Sequence, residues 1–269
     1  MPIAAINGIR LHFDEYGSGE PVVLITGTGA GGRVWKPHQV PALIAAGYRV
    51  ITVDNRGTAS SGTCLEGFTI DDMTADTAGL IEFLRIDPCH VIGFSLGAII
   101  VQELLVVYPE LVKWAVLMAT RGRADALCSA ISAAEIELCD SGVTIPARYD
   151  AIMRAMQNLS PRTLGNEQKI RDWLDVFEMS PSNLSAHRMQ LGLEVIENRL
   201  ESYRKIKSPC LVLGFKDDMV APPYLCREVA DSIPDAIYEE IAGCGHYGYL
   251  EEPAAVNSSI ISFLGNIRE

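Results

Sequence analysis

Positive charge is scarce in this sequence: 22 Lys and Arg stand against 34 Asp and Glu, for a net charge of −12. A chain so acidic has no basic footprint for nucleic acid and is repelled by anionic membrane surfaces, so neither is expected as a partner. Long apolar runs are missing too, and none reaches the roughly 18 residues that a membrane span requires. The first ten residues lack the basic start and apolar block of a signal peptide, which points to the cytoplasm. Cysteine occurs 7 times, an odd number with no C-x-x-C pair, so free thiols in a reducing compartment are expected rather than a disulfide frame. Cys89, Cys210 and Cys244 adjoin predicted strands, where a thiol packs as a small hydrophobe. Metal-ligand spacings such as H-E-x-x-H are absent, and no metal or other cofactor is expected. Gly and Pro are not in excess, and no internal repeat or low-complexity tract occurs. Hydrophobic residues make up 48% of 269, enough for the core of one large domain, with or without an insertion, acting as a monomer or homodimer.

What is present is an alternation of strand and helix signals. Residues 3–16 read as two strands about Asn7-Gly8, a dipeptide that favours a tight hairpin. Residues 21–25 form an unalternated apolar run, as in a strand buried on both faces of a parallel sheet. The run empties into Thr26-Gly-Thr-Gly-Ala-Gly-Gly32. Helical spacing resumes at 40–46, a strand follows at 48–54, and 70–84 is helical with Asp71 and Asp72 in its first turn. Another strand is predicted at 114–119. From about residue 121 to 201 the strand signals stop, and 124–139, 147–159, 167–178 and 183–199 read as helices broken at Gly142, Pro146, Pro161, Gly165 and Pro181. Alternation returns with a strand at 210–215, a helix at 224–232, a strand at 236–241 and a helix at 254–267. This pattern predicts an α/β fold with a mostly parallel, doubly wound sheet of about eight strands. Residues 1–120 and 202–269 form its core, and 121–201 a helical cap inserted over the carboxyl ends of the strands, where such sheets bind ligands.

The chain is organised around residues 91–107. A short apolar run ends at Ile92, Gly93-Phe94-Ser95-Leu96-Gly97 follows, and a long apolar helix begins. Between a strand and a helix, G-x-S-x-G reads as a nucleophile elbow. Its turn lifts the Ser95 hydroxyl above the sheet edge and points the Leu96 amide into the first turn of the helix, where orphan N–H groups favour a developing anion. A serine nucleophile needs a base within reach and an acid to orient that base. Of 5 histidines, His246 is the candidate, because glycines on both sides let its loop approach the elbow. His12, His38, His90 and His187 are assigned structural places. The acid is expected between serine and histidine in the chain, and Asp217 and Asp218 follow a predicted strand there.

The elbow, together with the Gly245-His246 segment and its following Leu250-Glu251 and Pro253, resembles the α/β-hydrolase superfamily. The likeness is nearest to the single-domain esterase, proline-iminopeptidase and cofactor-free haloperoxidase-like members, and covers about residues 3–122 and 203–265. The resemblance implies a metal-free serine hydrolase that cleaves an ester, amide or related acyl bond of a small organic substrate through an acyl-enzyme. Its catalytic residues would be Ser95, His246 and an aspartate. The family spacing ahead of Val220 and Pro222 gives Asp218, whereas counting from Gly214 gives Asp217; the downstream spacing matches better and favours Asp218. The family's oxyanion loop, usually His-Gly-x-Gly, is here Thr26-Gly27-Thr28-Gly29. Thr28 N–H is therefore expected to join Leu96 N–H in the oxyanion hole, without the bracing of the family histidine. A later loop has Ala59 where the family's Asp-x-Arg-Gly-x-Gly-x-Ser has its second glycine, and Asp54 and Arg56 are expected to tie that loop beneath the site.

A rival reading is a nucleotide-binding protein, since Gly27-x-Gly29-x-x-Gly32 and Asp54 imitate a dinucleotide fingerprint. That motif needs a helix opening within the glycines, and Pro37 and Pro41 interrupt helix through 33–41. A serine at the elbow, rather than the aspartate of dehalogenase and typical epoxide-hydrolase relatives, argues against both. Two alternatives remain: a cofactor-free lyase, isomerase or cyclase using the same pocket, and a non-enzymatic ligand-binding member, against which an intact triad would count. Candidates for the wall of that pocket are Trp35, Met153, Met156, Trp173, Phe177 and Met189, because methionine and aromatic side chains suit an apolar, adaptable cavity.

Overall fold

In the computed structural model, which describes residues 2–58, 61–62, 67–180, 184–193 and 196–265 (backbone only at 184–187), the core opens with a hairpin. The chain runs β1 (Ile3–Ile6), β2 (Ile9–Gly17), β3 (Glu20–Ile25), α1 (Gln39–Ala45), β4 (Tyr48–Val53), α2 (Ile70–Leu84), β5 (Cys89–Phe94), α3 (Leu96–Val107) and β6 (Val112–Met118). Helices α4 (Ala126–Asp140), α5 (Ala147–Asn158), α6 (Pro161–Leu164), α7 (Glu167–Met179), α8 (Leu184–Leu191) and α9 (Leu200–Tyr203) follow. The core resumes with β7 (Cys210–Phe215), α10 (Pro223–Ser232), β8 (Ile237–Ile241), α11 (Gly248–Glu251) and α12 (Pro253–Gly265). Ala59 lies outside the described residues, as does the side chain of His187.

Among the described residues, one sheet of 8 strands has the order β1-β2-β4-β3-β5-β6-β7-β8. The β1–β2 and β2–β4 pairs are antiparallel and the rest are parallel. The unalternated apolar runs have a simple cause: both faces of the sheet are covered. Val23, Ile25, Ile51, Val53, Val91, Leu117 and Val212 point into one buried cluster with residues of α2, α3 and α10. Their chain neighbours Val22, Leu24, Val50, Ile92, Val116, Leu211 and Leu213 point into a second, with residues of α1 and α12. Each such side chain contributes roughly 1.5–3 kcal/mol when removed from water. Helix α2 starts as its acidic first turn predicts, with a capping box between Thr69 and Asp72.

Two helix boundaries differ from the prediction. Helix α1 begins at Gln39 and contains Pro41; a first-turn proline interrupts nothing, because those N–H groups have no partner within the helix. The helix predicted over 183–199 ends at Leu191, just before Gly192, and helix resumes only at Leu200. The inserted block enters and leaves the core at one place: Arg199 N–H donates to the Gly122 carbonyl (2.8 Å) and Ala124 N–H to that of Ile196 (3.4 Å). Its own buried cluster is small, consisting of Ala151, Ala155, Leu159 and Phe177, with Trp173 and Tyr247 packed against them. Among the described residues no helix is long and apolar enough to cross a membrane.

Candidate active site

Strand β5 ends at Phe94 and α3 starts at Leu96, so Ser95 turns the chain in a single residue. It sits at φ 54°, ψ −121°, a conformation that costs a non-glycine residue on the order of 1–3 kcal/mol and persists only where its surroundings over-determine it. The two glycines of the motif supply those surroundings. A Cβ at Gly93 would lie 2.4 Å from the Gly97 carbonyl oxygen, and one at Gly97 would lie 2.3 Å from that of Ile25. The Ser95 N–H is tied to the Met118 carbonyl at the end of β6 (3.0 Å).

The loop after β7 separates the two candidate acids. Asp217 donates its N–H to the Cys244 carbonyl (3.0 Å) and leaves its side chain half-buried. Asp218 turns inward: Oδ1 accepts the N–H groups of Val220 (2.8 Å) and Ala221 (2.9 Å), and Oδ2 lies 2.8 Å from His246 Nδ1. A carboxylate oxygen accepts here, so Nδ1–H is the donor of this contact. Nε2 stands 3.1 Å from Ser95 Oγ. All three side chains are nearly buried, with relative exposures of 7% for Ser95, 4% for His246 and 4% for Asp218.

The histidine loop is held from outside the sheet. A Cβ at Gly245 would strike the Asn158 carbonyl oxygen at 2.7 Å, and Tyr247 N–H donates to that same oxygen (3.1 Å). The Glu251 carboxylate accepts the Gly245 N–H (2.6 Å) and both the N–H (3.0 Å) and O–H (2.7 Å) of Ser160. Cys244 is a second nucleophilic group beside the histidine. Burial, with Glu251, Asp217 and Asp218 nearby, pushes its thiol up to about 12, so it is a neutral filler.

Loop 26–32 lies against the nucleophile, since a Cβ at Gly27 would be 3.0 Å from Ser95 Cβ. Thr26, in the position of the family histidine, donates its hydroxyl across the loop to the Ala30 carbonyl (2.7 Å), and Asn55 Nδ2 donates to the Thr26 carbonyl (2.9 Å). Asp54 accepts the Gly32 N–H (2.6 Å) and faces His12 Nδ1 (2.8 Å), while Arg56 forks onto Asp76 with both bonds at 2.7 Å. These contacts leave no dinucleotide geometry. A 3-10 turn, Gly32–Trp35, follows the glycines, and the first α-helix begins only at Gln39.

The pocket-wall candidates scatter. Trp35 is fully buried, with its ring against Phe94 (6.5 Å) and Tyr249 (4.9 Å), and belongs to the core behind the site. Met153 and Met156 stand on the exposed face of α5, at 45% and 58% exposure, because Ala151, Ala155 and Asn158 take its buried face. Met189 packs against the large cluster under the sheet rather than the small one among the inserted helices. Trp173 and Phe177 do come close, through a run of rings. Phe94 is 4.9 Å from His246, His246 is 6.1 Å from Tyr247, and Tyr247 is 6.2 Å from both Trp173 and Phe177. Burial raises the Tyr247 hydroxyl above its ordinary value, so it is neutral at physiological pH. No sequence motif singled out Tyr247, Ser160 or Gln190. For Tyr247 alone there was a signal, its place directly after the candidate base.

Among the described residues no group of three or more His, Cys, Asp or Glu is placed to hold a metal ion. The sequence matches the Alpha/beta hydrolase family over residues 22–259, and the chain belongs to that family. It is 50% identical over 261 residues to a Mycobacterium tuberculosis protein provisionally named non-heme bromoperoxidase BpoC, covering 97% of this chain and 99% of that one. The crystal structure of BpoC superposes with a TM-score of 0.91 over 96% of each chain. A protein of Azorhizobium caulinodans provisionally named carbamate hydrolase RutD is 30% identical over 276 residues, covering 99% of each chain. The enol-lactonase of Burkholderia xenovorans LB400 shares the fold, with a TM-score of 0.85 at 23% identity over 98% of this chain and 100% of that one. The family and the hydrolase names among its relatives support an enzyme.

Proposed function

We propose that this protein is a serine hydrolase that cleaves an ester, amide or related acyl bond of a small organic substrate. The observation that carries this reading is the relay from Ser95 Oγ through His246 (3.1 Å) to Asp218 (2.8 Å), set at a strained elbow. His246 Nε2 takes the Ser95 proton as Oγ attacks the acyl carbon, and Asp218 holds the tautomer and stabilises the imidazolium. The N–H groups of Leu96 and Thr28 receive the oxyanion. The tetrahedral intermediate collapses as Nε2–H protonates the leaving group, leaving an acyl-enzyme. Water, deprotonated by the same nitrogen, then releases the acid and restores Ser95. The inserted helices act as a cap, with Tyr247, Trp173 and Phe177 on its apolar side setting which acyl groups fit.

The name carried by the M. tuberculosis relative favours a second outcome for the same acyl-enzyme. Hydrogen peroxide in place of water would release a peracid and free Ser95, and the peracid would oxidise bromide. A fluorophosphonate probe tests the first reading. Labelling mapped to Ser95, together with turnover of short nitrophenyl esters that Ser95→Ala abolishes, is expected. No labelling and no turnover would leave the serine-hydrolase reading without support. Bromination of a phenol in acetate, peroxide and bromide, lost in Ser95→Ala, tests the second.

A further inference from the structure

Gln190, on the inserted helix α8, is fully buried among groups that belong to the core. Its Oε1 accepts the N–H of Gly29 at 2.7 Å, and its Nε2 donates to the carbonyl of Arg56, also at 2.7 Å. A buried amide left unpaired costs free energy, and here the acceptor and the donor each have a partner on a different loop of the site. One of those loops follows β3 and the other follows β4. Nε2 also lies beside Gly57, where an added Cβ would be in ordinary contact with it at 3.6 Å.

Gly29 N–H belongs to the peptide plane shared with Thr28, and Gly29 stands at φ +67°, where a loop is held by its hydrogen bonds rather than by backbone preference. Holding that N–H restrains the 28–29 plane, while the bond from Ala30 N–H to the Gly27 carbonyl (3.3 Å) restrains the plane that carries Thr28 N–H, so both peptides flanking Thr28 are held. Other bonds hold the loop's two ends, Thr26 and Asn55 at its start and Asp54 at Gly32, and the Ala30 bond closes it as a turn. Resting on the serine-hydrolase reading, we propose that Gln190 is a positioning residue that keeps Thr28 N–H aimed at the oxyanion, so that the inserted helices complete the oxyanion hole. The loop lacks the family's histidine brace, and this glutamine supplies the missing hold from the other side.

Gln190→Met keeps the length and loses both bonds, while Gln190→Glu keeps an acceptor for Gly29. Leu191→Ala loosens the same helix without touching the loop. Loss of an oxyanion donor lowers kcat by about 10²–10³, so misaiming one should lower it about ten- to a hundredfold in Gln190→Met, with KM within about twofold. Gln190→Glu should fall between that variant and wild type, and Leu191→Ala should lower Tm with kcat nearly unchanged. The Gly29 amide should be protected from hydrogen exchange in wild type and in Gln190→Glu, and exposed in Gln190→Met. Wild-type kcat in Gln190→Met overturns the proposal, and so does an equal kcat loss in Leu191→Ala. If wild-type enzyme turns over no ester and takes no fluorophosphonate, the hydrolase reading fails and the oxyanion role with it. If wild type is active but Gly29 exchanges freely, only the Gln190 proposal fails.

Discussion

Around Ser95, position is enforced by exclusion: the backbones of β3, β5 and α3 approach so closely that Gly93 and Gly97 have no room for a methyl group. In the helices between β6 and β7, the buried apolar cluster is only four residues, Ala151, Ala155, Leu159 and Phe177, and single polar side chains tie them to the core. Gln190 grips the loop after β3 through Gly29, and Ser160 grips the histidine loop through Glu251. Close packing is cooperative and tolerates no change in volume, whereas a hydrogen bond is worth about 1 kcal/mol net and can be exchanged one partner at a time. The sheet side of the site, its floor, is therefore fixed by packing, and the side facing the inserted helices, its roof, is adjustable, which suits a fold that hosts many functions.

The comparison breaks first at the relay. Ser95→Ala and His246→Ala should each lower ester hydrolysis by several orders of magnitude, with the double variant no worse than either, because the residues act as a unit. Asp218→Asn should cost nearly as much, since the amide loses the acceptor that holds Nδ1–H, while Asp217→Asn should be mild. Steady-state kinetics on one nitrophenyl ester separates these cases. Additive losses would mean that serine and histidine do not work together.

Next come the glycines, where the two regions should respond oppositely. Gly97→Ala sets a Cβ 2.3 Å from the Ile25 carbonyl oxygen and 2.6 Å from that of Thr26. Neither is a side chain that can swing away, so β3 and α3 must part. Expected is loss of activity with a Tm lower by many degrees, or no folded protein. Gly192→Ala, in the inserted block, meets nothing closer than the Met189 carbonyl at 3.6 Å, and should leave stability within roughly 0.5 kcal/mol. Equal tolerance at both positions would remove the distinction drawn between floor and roof.

This asymmetry also governs what could be read from the sequence. Strands buried on both faces must be apolar at every position, so β3 and β5 stand out as short runs. The elbow is legible because sterics admit only glycine at two fixed offsets from Ser95. The aspartates could be ranked only by the family spacing ahead of Val220 and Pro222; in the structure Asp218 collects the Val220 and Ala221 N–H groups in that turn. The inserted block offered no such constraint. Composition alone suggested Met153, Met156 and Met189 as pocket residues, but a helix packed through Ala151 and Ala155 leaves its methionines outside. Trp35 has the right chemistry for a pocket but is fully buried in the core cluster with Phe94 and Tyr249. Gln190 left no trace, since a glutamine on a helix reads as a solvated face until tertiary structure brings two loops to it.

Among the inserted helices, Phe177 is the one large ring of the small buried cluster. The ring is buried between Trp173 (5.3 Å) and Tyr247 (6.2 Å), with the Arg154 guanidinium 4.4 Å from its centre. Phe177→Ala should remove roughly 3–5 kcal/mol from the local packing, felt as faster hydrogen exchange in α5 and α7 rather than as global unfolding. The ratio of kcat/KM between a long and a short acyl ester should change while Ser95 still reacts with a small fluorophosphonate. An unchanged ratio would place Phe177 outside the acyl site.

The finest test uses the thiols as reporters of the two regions. Burial pushes the core cysteines Cys89, Cys210 and Cys244 up to about 12. Cys139, at the end of α4, is only partly buried, and its thiol is raised mainly by desolvation. Cys64 lies outside the described residues, so the comparison belongs in a Cys64→Ser background. At pH 8 a thiol reagent should modify Cys139 in minutes and the three core thiols only as fast as the protein unfolds, with no loss of activity after the first. The sign of the pH dependence follows from the same burial. In the folded state these thiols stay protonated above their ordinary value of 9.0, whereas in the unfolded chain they ionise. The unfolded state therefore binds fewer protons between pH 9 and 12, and stability falls as pH rises through that window. Below pH 9 both states are protonated and the contribution is complete. Replacing Cys89 by alanine should flatten the alkaline decline of Tm slightly, and substituting Cys139, whose thiol is raised less, should flatten it less. If core thiols react at the rate of Cys139 in the folded protein, the floor opens as readily as the roof, and the contrast between them fails.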